Sequence, residues 1–174
     1  MEWTRSNGGP LICLEEQLCP HWLGTTGLDG HEVSSPGDLT DYERACQVRD
    51  YLGTINLVSG RVLILGDMPL ETSVWQAASG TVHIVRLFYA DPHTDFARLL
   101  REIDPRLFDT PDELLQFEVS LGRMVLFDSA FRGAEPRKRA LSFHIPPGKF
   151  RIATKTIDPD DRTSMVLHKF YPLM

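Results

Sequence analysis

Apolar residues recur at every second position in three separate stretches: Phe117, Val119 and Leu121; Leu141, Phe143 and Ile145; and Met165 and Leu167, with Val166 and Phe170 set against them. A strand sends successive side chains to opposite faces, so this period predicts half-buried antiparallel strands. Turn chemistry separates them at Ser59-Gly60, Leu121-Gly122, Pro146-Pro147-Gly148 and Asp158-Pro159-Asp160. Helical signals are few. Thr40-Asp41-Tyr42-Glu43 fits a capping box, with Tyr42, Ala45, Cys46 and Leu52 falling roughly on one face before Gly53. Phe96, Leu99, Leu100 and Ile103 define a second amphipathic helix, opened near Asp91-Pro92 or Thr94 and closed by Asp104-Pro105.

A weak internal repeat runs through the strands. The segment Leu57 to Leu65 aligns with Val119 to Phe127, Gly80 to Ile84 with Gly148 to Ile152, and Asp91-Pro92 with Asp158-Pro159. The repeat units are then 53–92 and 115–159, each a hairpin, a connection with a third strand, and a strand opened by a glycine. Two copies are too few for a solenoid. The expected fold is α+β: a β-rich, two-layer antiparallel sandwich of two similar β units with two short helices.

With 174 residues, the chain is expected to be a single domain spanning 1–174, long enough to bury a real core. Its first apolar run, Leu11 to Leu14, is too short for a signal-peptide core or a membrane span, so a cytoplasmic location is expected. Cys13, Cys19 and Cys46 form no CxxC pair and fit reduced, buried thiols. Charge is uneven along the chain: residues 1 to 87 carry 11 acidic and 5 basic side chains, and residues 88 to 174 carry 13 of each. Such a balance favours a basic protein partner and opposes binding to nucleic acid or to an anionic membrane.

Catalytic signatures are missing from the sequence: it has no GxSxG elbow, P-loop, HExxH or dinucleotide fingerprint. Cys13, Cys19 and His21 match no common zinc spacing, and Asp158 to Asp161 lacks the ladder of a calcium loop. Neither a cofactor nor a metal is expected. Arg132 and Arg137 to Arg139 form a basic cluster without interleaved aromatics, which reads as a solvated loop. Trp3, Trp22 and Trp75 all lie in the acidic half, and Trp75 follows a turn-rich stretch with Asp67, Pro69 and Glu71. Tryptophan among carboxylates suits a hot spot for a basic partner, although a core role is the commoner fate of any one tryptophan. The candidate partner-binding residues are Glu32, Asp38, Asp41, Glu43, Asp67, Glu71 and Trp75.

Several blocks in order carry a resemblance: Trp3 with Gly8-Gly9-Pro10-Leu11-Ile12; Pro20-His21-Trp22 and Gly24; Asp41 to Cys46 running into Asp50-Tyr51-Leu52-Gly53; and Gly66-Asp67-Met68-Pro69-Leu70 before Trp75. Together they resemble the immunity protein 21 family of bacterial polymorphic toxin systems, over about residues 3 to 90 and more weakly beyond. That resemblance implies a small cytoplasmic protein that binds and neutralises a cognate toxin domain, with no enzymatic activity; the expected mode is stoichiometric occlusion, with the acidic, Trp-bearing first half as the contact face. A basic nuclease is one toxin type whose phosphate-binding surface an acidic protein can occupy. A small-ligand or metal-binding β-sandwich module is the alternative, and an enzyme the third.

Overall fold

The computed structural model describes residues 1–26, 39–66, 68–135 and 139–173. In chain order the strands are β1 (Trp3–Thr4), β2 (Leu11–Glu15), β3 (Leu52–Leu57), β4 (Gly60–Leu65), β5 (Glu71–Gln76), β6 (Val82–Tyr89), β7 (Glu113–Val119), β8 (Arg123–Asp128), β9 (Leu141–His144), β10 (Gly148–Asp160) and β11 (Thr163–Pro172). Helices α1 (Asp41–Cys46) and α2 (Phe96–Glu102) are short, and 3-10 turns occupy Glu16–His21 and Pro105–Asp109. The strands form two antiparallel sheets, so the fold is the β-rich α+β class that the alternation predicts. Each sheet belongs to its own compact unit.

The first unit comprises Met1–Thr4, Leu70–Glu118 and Gly148–Met174. Its six strands run in the order β1-β5-β6-β11-β10-β7. On one face Val85, Ala153, Ile157, Met165 and Leu167 meet Leu100 of α2 and Phe108 of the 3-10 turn. Leu99, Ile103 and Phe96 complete the stripe that the 3.6-residue spacing predicts. The helix starts at Asp95 rather than earlier, because that carboxylate accepts the Arg98 amide at 3.1 Å. β11 departs from the half-buried expectation: Met165, Val166, Leu167 and His168 are all fully buried, so side chains on both of its faces are inside.

The second unit comprises Arg5–Pro69 and Val119–Pro147, with strand order β3-β4-β2-β8-β9. Ile12 stands opposite Ile64 on one side and Phe127 on the other, and these pack with Leu14, Val62, Val125, Leu18 and Trp22. Trp22 is fully buried, and its indole N–H donates to the Ser129 carbonyl at 2.9 Å. The capping box at Thr40 and Glu43 is formed, but α1 stops at Cys46. Leu52 and Gly53 instead open β3, in register with Leu65 and Ile64.

The aligned segments take partly equivalent places. β4 and β8 both flank β2, and β6 and β10 both flank β11. Yet β3 and β4 form a hairpin, whereas β7 and β8 belong to different sheets. Each segment therefore feeds both sheets, where one β layer per copy was expected. Leu121, read as a strand residue, is exposed in the turn between β7 and β8. That turn is held by the buried Glu15, whose Oε1 accepts the amides of Ser120 at 2.9 Å, Leu121, and Gly122 at 3.2 Å. Gly122 has φ +93°, a conformation that side-chain-bearing residues avoid.

Candidate interaction face

The sequence-predicted contact residues divide between the units. Asp41 and Glu43 sit on α1 of the second unit, and both are engaged locally. Asp41 accepts the Leu23 amide at 2.8 Å and pairs with Arg44 at 3.1 Å. Glu43 accepts the Thr40 amide at 2.8 Å and the Thr40 hydroxyl at 3.0 Å, although its side chain remains exposed. Glu71 and Trp75 lie on β5 of the first unit. Separated by four residues, they project to the same face of the strand. Glu32, Asp38 and Asp67 lie outside the described residues.

Trp75 belongs to a strand rather than to the loop that the turn-rich stretch suggested, and it pairs with His83. Its ring is half-buried and tilted against the His83 imidazole at 5.1 Å between centroids. His83 pairs in turn with Lys169 on β11, so one row crosses three strands. Phe108 meets the His83 ring at 6.2 Å and the Tyr171 ring at 6.4 Å, both edge-on. The Lys169 ammonium lies over Tyr171 at 4.5 Å and over Phe108 at 5.0 Å, and the Arg151 guanidinium lies over Tyr171 at 5.5 Å. His83 is buried, its Nδ1 has no hydrogen-bond partner, and burial, helped by Lys169, lowers its pKa to about 4. The imidazole is neutral at physiological pH.

Trp75, Lys169 and Tyr171 are half-buried here, beside Phe108 of the 3-10 turn. Sequence reasoning found Trp75 and missed the rest. The signal was present: the alternation Met165, Leu167 continues to Lys169 and Tyr171, which carry the same face past the apolar core.

Elsewhere on this unit, α2 and the end of β10 border a groove of about 710 Å³. Five carboxylates line it, Asp95, Glu102, Asp104, Asp158 and Asp160, against the single guanidinium of Arg98. Leu99, Ile103, Leu107 and Pro159 give it an apolar floor. The acidic Asp158 to Asp160 turn thus joins a helix side rather than forming a cation loop, with Asp158 accepting the Ser164 hydroxyl and Asp160 the Arg162 amide. Among the described residues no group of three or more His, Cys, Asp or Glu is placed to hold a metal ion. Cys13 and Cys19 are buried and Cys46 half-buried.

On the opposite face of the same sheet, His168 and Arg86 are fully buried. The His168 Nδ1 is 2.9 Å from the Thr154 hydroxyl, and burial together with the Arg86 charge holds the imidazole well below its ordinary pKa.

Charge that looks one-sided along the sequence is shared in the fold, because each unit draws on both halves of the chain. The first unit holds 13 acidic and 9 basic side chains, the second 11 and 9.

The described chain is thus a β-rich protein of two antiparallel sheets, with half-buried aromatics and clustered charges on the first of them. A family model described as Immunity protein 21 matches residues 2–163, and the chain belongs to that family. The match reaches well past the blocks that carry the sequence resemblance, into strands of both sheets. Neither a curated protein nor a solved structure matches the chain. No helix among the described residues is long and apolar enough to cross a membrane.

Proposed function

We propose that this chain binds a cognate toxin domain one to one and neutralises it by covering the surface through which the toxin acts. Family membership over residues 2–163 is the observation that carries this reading. The surplus of carboxylates, 24 against 18 cations, supports a partner with a basic working surface, such as a nuclease, drawn in by long-range attraction. Exposed Glu43 and Glu71 belong to the steering set, with Glu32, Asp38 and Asp67, while Asp41 adds charge from within the α1 cap. In this reading the chain works in the cytoplasm, as a binder without catalytic activity of its own.

Co-expression with a cognate toxin domain should restore growth and yield a one-to-one complex on purification. A toxin that still kills in the presence of the folded chain would overturn the reading. If the acidic residues steer association, reversing Glu43 and Glu71 to Lys should slow association more than it speeds dissociation, most clearly at low salt. Association rates that stay flat from low to high salt would remove steering and leave occlusion standing.

A further inference from the structure

We propose that the Trp75–Lys169–Tyr171 row anchors an acidic segment of the protein partner, with Lys169 and Arg151 receiving its carboxylate. On a chain of net charge −6, two cations, Lys169 and Arg151, gather on one aromatic cluster here. Lys155 on β10 pairs with Asp112, and Arg162 in the turn before β11 with Asp91. Among the described residues, Lys169 and Arg151 meet aromatic rings instead. A ring quadrupole attracts a cation but leaves its outward N–H groups able to donate to an incoming anion. Lys169 is half-buried, so its charge is partly stripped of water before any partner arrives. Trp75 and Tyr171 supply large, rigid contact area on either side, and with Arg151 they make up the residue types in which interface hot spots are enriched.

His83 adds a second, independent feature. Its Nδ1 is buried without a hydrogen-bond partner in the same row, and the neighbouring ammonium disfavours protonation. A carboxylate held over Lys169 would offset that ammonium and ease proton uptake by His83. An acidic anchor on a partner drawn in by an acidic surface gives the contact a sense of direction: the field brings the partner close, and this cationic spot fixes its register.

The inference rests on the chain being a protein binder, and two measurements on the full chain separate its failure from failure of that reading. First, NMR titration with a tetraglutamate peptide should shift the Trp75 indole, His83 and Tyr171 signals, and the Lys169→Gln/Arg151→Gln variant should abolish those shifts. Absence of shifts, equal shifts in the variant, or a response only to a single-stranded oligonucleotide would each overturn the inference. Second, the same variant should bind the cognate toxin domain on the order of tenfold or more weakly, with Lys169→Arg retaining most affinity. Unchanged toxin affinity in the double variant overturns the anchor and leaves toxin binding intact. Peptide shifts that depend on Lys169 in a chain that binds no toxin would support the anchor and overturn the toxin reading.

Discussion

Trp22 and Trp75 lie in different compact units and are used in opposite ways. In the second unit, Trp22 is fully enclosed and its N–H is satisfied by a backbone carbonyl; in the first, Trp75 is half-open against a neutral histidine. The contrast extends to the polar residues around them. The second unit turns several of its carboxylates to its own backbone, Glu15 on three turn amides, Glu43 on a cap and Asp128 on the amides of Asn7 and Ala130. The first lines a groove with five carboxylates, each also accepting from a neighbouring donor, and sets two cations over aromatic rings. A residue's type fixes what it can do, and the satisfaction of its polar atoms shows which use the fold has made of it.

Truncation tests that contrast most directly. Trp22→Ala should cost about 3 to 5 kcal/mol of stability, since it opens a core cavity and strands the Ser129 carbonyl. Trp75→Ala should leave the thermal midpoint within a few degrees of the parent while weakening toxin binding by about 2 kcal/mol. Equal losses of stability in the two variants would erase the distinction between the units.

Acid provides the next largest effect. His83 binds a proton with a pKa near 4 when folded and near its ordinary 6.5 when unfolded, so the unfolded chain takes up the proton first as pH falls. Stability is therefore full above pH 6.5 and declines towards pH 4, by about 3 kcal/mol from this group. His168 acts in the same direction. Urea midpoints measured from pH 7 to pH 4.5 should fall less steeply for His83→Phe, which keeps an aromatic ring in the row. A parallel fall in both proteins would mean that His83 is not held neutral by the fold.

A smaller effect sharpens the account of the second unit. Glu15→Gln keeps the shape of the side chain but removes the charge that three amides share, at a cost of about 1.5 kcal/mol. Amide exchange at Ser120, Leu121 and Gly122 should accelerate together; acceleration at only one of them would show that the carboxylate does not hold the turn as a unit.

These differences mark where sequence reasoning succeeds. The Thr40 and Glu43 capping box was legible because its partners lie three residues apart, and the α2 stripe because helical geometry repeats every few residues. The end of α1 was not: Leu52 fits the helical face by spacing, but its pairing with Leu65 is a contact that spacing cannot supply. The Trp75 row was hidden for the same reason, since His83, Lys169 and Trp75 become neighbours only through the register of three strands. Chain-order charge is redistributed in a related way, because both units interleave the two halves.

The placement of β11 sets the order in which the two sheets can form. Its neighbours β6 and β10 are made first, and neither meets its partner in the middle of the sheet until residues 163–172 exist. The sheet of the second unit has all its strands by His144. During vectorial synthesis the half-made first unit is thus a pair of open strand edges flanking a vacant lane, a state prone to mispairing. Lys169 and Tyr171 are carried on that same late strand, so the acidic-segment anchor comes into being only with the final closing of its sheet. A ribosome that stalls shortly before this strand would release a chain with a complete second sheet and no anchor.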